Sequence, residues 1–572
     1  MVPIGVLLVD NPPTTANSLI VRFQEAWTDE SSYLTEARCG YAAFEILKGA
    51  RQILLDLQLT KDIGTTTATT TNSNDRVTCT TLYQTADVLI DYAYEKLNAF
   101  PYREVPACWR ELYTDASLLQ AVALWLSCND DCHRISKQQQ QQGLLDEEQG
   151  MKYDNPPPES VETRRLAIRV LDKALVLAGA CGPGRRALVM DAIEALEGEI
   201  DSSTSISGSD MSNTSDLPPF KKLKTDHHHH HHHHRHPKEV EEGKIPPPPT
   251  SRRLGEEEDE ESRQKRWPKL EFPIPRWHQP SLEEFARHVH QPNPTPVILT
   301  GAMDHWPALT KWTDLDRLCK AAGPDRLVPI EIGRQYTDEH WTQKLVTTRE
   351  FIRQYILQPS AASSPSTTST SPSSQPAPDT DVGDADTNTD ANAAAVGYLA
   401  QHNLFEQIPR LRRDIDIPDY CCVGPAEDTA RGYEPPDDTL LHAWFGPKGT
   451  VSPLHTDPYH NLLAQVVGYK YVRLYAPSQT PYLYSFGASH HGNDGGSSGG
   501  GGSIQSSEAE AMLLGNTSQV DIEKADLTQF PLFAQAEYVE TVLRPGELLY
   551  IPLQWWHYIR SLSVSFSVSF WF

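Results

Sequence analysis

The chain has 572 residues, 22% of them charged and 38% hydrophobic, with a formal net charge of -26 at pH 7. It is long enough for several domains, and its acidity excludes a general grip on nucleic acid, whose phosphates it would repel. Nine cysteines without disulfide-framework spacing read as the reduced thiols of an intracellular protein. The opening Pro3–Val9 stretch is too short for a spanning helix and has no basic flank, so neither a membrane segment nor a signal peptide is expected, and the location is nuclear and/or cytoplasmic.

In chain order, residues 1–200 read as an α-helical domain that packs or docks rather than catalyses. Tyr83–Leu97 carries Ala86, Leu89, Ile90, Ala93 and Tyr94 on one face. A second run, Leu118–Leu126, follows Asp115 as a candidate cap, and a third, Leu166–Leu177, is closed by Gly179 and Pro183. Cys128-Asn129-Asp130-Asp131-Cys132-His133 lacks the second ligand pair of a zinc finger. Residues 201–266 lose hydrophobic periodicity and read as a low-complexity linker, with eight histidines (His227–His234), four prolines (Pro246–Pro249) and an acidic run (Glu256–Glu261). Within it Pro218–Lys224 is a candidate nuclear import signal, although short basic runs are common. A floppy histidine tract cannot fix the geometry of a functional metal site.

From Trp267 onward the composition turns globular. Strands are expected at Pro296–Thr300 and Val328–Ile332, with a helix around Trp312–Ala322. More follow at Leu440–Phe445, Leu462–Val467, Tyr469–Tyr475, Val539–Leu543, Glu547–Ile551 and Val564–Phe572. The last alternates serine with Val564, Phe566, Val568 and Phe570, the period of a strand with one buried face. Insertions at 359–395 and 487–507, rich in Ser, Thr, Pro, Asp and Gly, read as surface loops, and His490 and His491 within the second are poor ligand candidates. Many short antiparallel strands suggest a jelly roll of the cupin type, and the whole chain is α+β with a separate all-α N-terminal domain.

The densest chemistry is Ser452-Pro453-Leu454-His455-Thr456-Asp457, answered by Trp555-Trp556-His557. Residues two apart on a strand point the same way, so His455 and Asp457 can reach one ion, with His557 arriving from another strand. Two imidazoles and one carboxylate make the facial triad that holds ferrous iron with open positions, whereas a structural zinc site is closed by four ligands. A lone His-x-Asp arises often by chance; here a strand precedes it and a Pro-Gly-Glu strand leads to the Trp-His pair. Lys470, among Tyr469, Tyr471, Val472 and Leu474, is either a solvated strand lysine or an inward ammonium that requires an anionic partner such as 2-oxoglutarate.

These segments, together with Ala443–Pro447, Gly468–Tyr471, Asn516–Val520, Ser565–Trp571, Gly397–His402 and Ile417–Cys421, closely resemble the Jumonji-C oxygenases over residues 267–572, and more weakly over the helical half. The resemblance implies a double-stranded β-helix and a dioxygenase that uses Fe(II), 2-oxoglutarate and O2. It places the iron ligands on His455, Asp457 and His557, and the 2-oxoglutarate contacts on Tyr398, Ser452, Asn461 and Lys470, with Trp444 beside them. It also implies a protein or peptide substrate, and the similar subgroup has been described both as arginyl hydroxylases and as histone-lysine demethylases. Asp457, where many demethylases carry Glu, and a guanidinium embrace by Glu331, Tyr336 and Trp444 tilt the expectation to hydroxylation of an arginine side chain. N-methyl-lysine demethylation, on a histone tail for instance, is the alternative. A non-catalytic jelly-roll scaffold is the third reading, opposed by the intact triad and Lys470.

Overall fold

A computed structural model describes residues 16–27, 32–62, 73–101, 104–128, 159–206, 254, 267–333, 337, 341–357, 396–424, 433–487 and 514–572. The sequence features at Pro218–Lys224, His227–His234, His490 and His491 lie outside these residues. The chain divides into two compact units, Met1–Ser251 and Arg252–Phe572.

The first unit is helical, and Ala16–Trp27, Tyr41–Asp62, Ser73–Asn98, Ala107–Cys128, Glu159–Ala178 and Arg185–Ile206 are its long helices. Leu82, Ala86, Leu89 and Ala93, spaced three and four apart, enter one core with Leu112, Leu119, Trp125, Leu171 and Leu196. Gly179 ends its helix at φ 70° as expected. Asp115 is a correction. Its helix begins at Ala107, so Asp115 is fully buried in mid-helix, where Arg51 (2.6 Å) and Arg185 (3.0 Å) compensate its charge.

The second unit is a two-sheet β-fold with helices outside. One sheet runs β1(Arg276–His278), β2(Val297–Thr300), β11(Glu547–Ile551), β8(Asn461–Val467), β13(Ser565–Trp571), β6(Leu440–Gly446), β5(Gly397–His402), β3(Leu327–Ile332), β4(Thr342–Thr347). The other runs β10(Val539–Leu543), β9(Lys470–Tyr475), β12(Trp556–Ser561), β7(Val451–His455). One face of the large sheet packs Phe445, Ala464, Leu548, Phe566 and Phe570 with the helices' Phe285, Trp312 and Leu318. Its other face meets the small sheet through Leu463, Leu549, Ile551, Val472 and Leu474. The α+β architecture expected from sequence is therefore present.

The expected helix around Trp312–Ala322 is two short ones, Ala308–Lys311 and Leu315–Ala322, because Asp314 caps the second through Asp316 N–H and Arg317 N–H. β13 departs further: its serines are as buried as its apolar residues. Ser565 bonds Ser561 (3.0 Å), Ser567 donates to Gln465 Oε1 (2.7 Å), and Ser569 accepts from Trp444 Nε1 (3.0 Å). A small hydroxyl satisfied inside the barrel gives the same alternation as one facing water.

Candidate active site

His455 ends β7, His557 is the second residue of β12, and the two are direct partners in the antiparallel ladder. Paired residues share a sheet face, and the imidazole centroids lie 4.2 Å apart. Asp457 lies beyond the end of β7 rather than on it, in a segment anchored by Thr456 N–H to Asn516 O (3.0 Å) and followed by Pro458, which has no N–H for a ladder. Its carboxylate still reaches both rings, with Oδ1 3.8 Å from His455 Nε2 and Oδ2 3.4 Å from His557 Nε2. One ligand atom from each residue lies within 4.8 Å of the other two.

Backbone carbonyls orient the imidazoles. His455 Nδ1 lies 2.6 Å from Pro453 O, and His557 Nδ1 lies 3.0 Å from Trp555 O. Those bonds place a proton on each Nδ1 and leave each Nε2 lone pair facing Asp457. Burial, helped by neighbouring His557, pushes His455 down to about 4, so its ring is neutral. Burial also works against charge on His557, but Asp457 outweighs it and the ring is raised. Burial opposes the Asp457 carboxylate in turn, yet His557 and His455 hold it below its ordinary value.

This donor set fits a divalent metal. Neighbouring ligands on one octahedral ion lie about 3 Å apart, a small contraction from the distances here. A cation would compensate Asp457 and would use all three ligand atoms.

In the same small sheet, on β9, is a buried ammonium with no counter-ion among the described residues. Lys470 is 1% exposed at the start of β9. Its Nζ donates to Tyr398 Oη (3.3 Å) and sits over the same ring, and no carboxylate pairs with it among the described residues. Burial pushes it down to about 7. Ser452 on β7 lies beside the Tyr398 hydroxyl, which burial raises well above its usual range. Asn461 opens β8 with a buried Oδ1 that has no partner, and Trp444 lies 6.1 Å from the Tyr398 ring. An uncompensated ammonium and two hydroxyls fit a small dianion such as 2-oxoglutarate, which Asn461 would meet through its Nδ2 donor. The solvated-lysine reading of Lys470 is excluded by its burial.

Glu331 on β3 is the ladder partner of Tyr398 on β5. Burial raises its carboxyl, the Trp341 indole offsets part of that rise without completing a hydrogen bond, and no cation pairs with it among the described residues. A cavity of about 180 Å³ opens here, lined by Pro329, Ile330, Glu331, Gln343, Ala400, Gln401 and His402. Tyr336 lies outside the described residues. Sequence reasoning missed Gln343, Gln401 and Trp341, which lie outside the triad motif. Gln401 sits at φ 46° in a bulge of β5, a backbone feature with no marker in its residue type.

Among the described residues no helix is long and apolar enough to cross a membrane. A cupin-like domain family matches residues 281–572. The chain is 35% identical over 496 residues to Lysine-specific demethylase 8 of Danio rerio, covering 86% of this chain and 88% of that one. It is 44% identical over 301 residues to the protein of the same name in Xenopus tropicalis, covering 53% of each. Jumonji C domain-containing protein 5 of Drosophila melanogaster is 39% identical over 299 residues, 52% of this chain and 59% of that one. These last two matches span little more than half of each relative. With a family match over the whole strand-rich region and a relative aligned along most of its length, the chain belongs to the cupin-like Jumonji-C family of Fe(II)- and 2-oxoglutarate-dependent oxygenases.

Proposed function

We propose that His455, Asp457 and His557 hold Fe(II), that Lys470, Tyr398, Ser452 and Asn461 hold 2-oxoglutarate with Trp444 alongside, and that a cationic protein side chain is oxidised between them and Glu331. The observation that carries this reading is Lys470, a buried ammonium with no counter-ion among the described residues, in the same small sheet as His455 and His557 of the converging metal-ligand group. When bound, iron and 2-oxoglutarate supply the activation of O2 that inserts one oxygen atom into a substrate C–H bond, with release of succinate and carbon dioxide. The chain's residues orient and neutralise. The two backbone-tethered imidazoles keep their protons on Nδ1, Lys470 supplies positive charge to a carboxylate, and the buried aromatic walls restrict water.

Two outcomes share this chemistry. Oxidation of an N-methyl group yields a hydroxymethyl amine that falls apart to formaldehyde and the unmethylated amine. Oxidation of a stable carbon stops at the alcohol. The names of the Danio rerio and Xenopus tropicalis relatives support lysine demethylation, the alternative expected from sequence, better than arginine hydroxylation. Demethylation of a protein N-methyl-lysine is therefore the first reading. Arginine hydroxylation is the second, favoured by Glu331, whose half-buried carboxylate, with no cation among the described residues, offers the fork that a guanidinium meets with two bonds.

Mass spectrometry on methyl-lysine and arginine peptides, incubated with the protein, Fe(II), 2-oxoglutarate and O2, tests both. Loss of a methyl group with formaldehyde release is expected. Gain of one oxygen on arginine would establish the second reading instead, and succinate without change in either peptide would overturn both.

A further inference from the structure

His442 is used neither by the triad nor by the Lys470 group, yet it lies close to both. It precedes Trp444 by two residues on β6, so the two rings project from the same inner face of the sheet, and its ladder partner on β13 is Ser569. Its ring centroid is 4.6 Å from that of Trp571. Asp457, His402 and Glu406 are all within electrostatic reach, and burial pushes the imidazole down to about 4, so the ring is neutral.

His442 Nδ1 and Trp571 Nε1 are both buried without a hydrogen-bond partner. Native interiors seldom leave such atoms unpaired, and this unit pairs the indoles of Trp312 with Asp414, Trp444 with Ser569, Trp555 with Pro294 O and Trp556 with Thr480. Among the described residues of the unit, the buried indole nitrogens left over belong to Trp341 and Trp571, and Trp341 flanks Glu331.

The imidazole nitrogen defines the ligand's chemistry. The Trp571 indole, 7% exposed, stays in the interior, whereas the neutral imidazole nitrogen can accept a hydrogen bond. A peptide N–H, uncharged and repeated along any polypeptide, answers it. His442 is part-exposed, and a half-turn of its ring about χ2 exchanges Nδ1 with a carbon, so the buried nitrogen can turn towards an arriving chain.

We propose that His442, packed on Trp571, forms a main-chain subsite that accepts a hydrogen bond from a peptide N–H of the polypeptide substrate next to the residue being oxidised. His442 is thereby a positioning and specificity-determining residue. This rests on the reading of the site as an oxygenase of protein side chains.

The test is steady-state kinetics of His442→Phe, which keeps ring volume without nitrogen, and His442→Asn, which keeps a group able to donate and accept. The substrate is the methyl-lysine or arginine peptide that the wild type oxidises. Phenylalanine is expected to raise the peptide KM on the order of tenfold, with kcat changed less than about threefold, and asparagine to recover most of the loss. A phenylalanine variant with wild-type peptide KM would make His442 packing alone and overturn the subsite. So would an unchanged peptide KM with a higher requirement for iron or 2-oxoglutarate, which would assign the ring to Asp457 or the cosubstrate. A wild type that forms succinate but oxidises no peptide would fail earlier, overturning the functional reading and the subsite with it.

Discussion

At the scale of the residue, Lys470 carries the most specific expectation. The folded chain lowers its ammonium from 10.5 to about 7 by burial, while the unfolded chain leaves it at the ordinary value. Its cost to folding is therefore fully present below about pH 7 and is relieved as pH rises towards 10.5. A dianion in the pocket reverses that preference, because it binds the charged form. Apparent affinity for 2-oxoglutarate is then expected to fall as pH rises above about 7, by up to tenfold per pH unit. Lys470→Met removes this dependence and weakens binding about 10- to 100-fold, the worth of a charge-assisted hydrogen bond. Titration of 2-oxoglutarate binding between pH 6 and 9 checks both expectations, and a flat wild-type profile would place the lysine outside the cosubstrate's contacts.

At the scale of the element, short turns and close approaches deliver these residues. Gly468, with Tyr469, joins β8 to β9 just ahead of Lys470; its φ is 74°, and a Cβ there would stand 2.0 Å from Val564 O. Gly468→Ala is expected to destabilise the protein by more than the roughly 1–3 kcal/mol of a strained backbone residue, since the carbonyl belongs to main chain and cannot swing away. A denaturant midpoint close to that of the wild type would contradict the placement of this turn. Gly446 is tight in another way: a Cβ would meet the Tyr398 ring at 2.6 Å. Gly446→Ala should therefore raise the half-saturating 2-oxoglutarate concentration severalfold, seen in succinate assays, by moving the tyrosine that touches Lys470. Elements were legible wherever period and punctuation agreed. Val539–Leu543 and Glu547–Ile551, split by Arg544-Pro545-Gly546, were read residue for residue. The strands that carry His455 and His557 were not. Pro453 argues against a strand in β7, and only its edge position in the small sheet tolerates it. In β12, burial of neighbouring side chains on both faces erases the alternation.

At the scale of the whole molecule, each unit has its own core, one built from helices and one from two sheets. Residues 252–572 alone are expected to keep 2-oxoglutarate turnover within about threefold of the full chain, because every proposed ligand and cosubstrate residue belongs to that unit. A fragment that folds but turns nothing over would give the helical unit a part in catalysis. The motifs named from sequence fall on both sheets: His455 and His557 are ladder partners with Asp457 just past the first, and Ser452, Lys470, Tyr398 and Asn461 come from β7, β9, β5 and β8. Gln401, His442 and Trp571 were not singled out, because they come from three strands whose neighbourhood exists only after the sheet closes. The most direct test of the account is succinate formation from 2-oxoglutarate with Fe(II) and O2, comparing the wild type with His455→Ala and Asp457→Ala. The histidine tract is common to all three proteins, so metal it binds does not bias the comparison. The account expects turnover in the wild type and a loss of at least about 100-fold in each variant, with the fold retained by circular dichroism. Equal turnover in all three would mean that the chemistry does not occur at these residues.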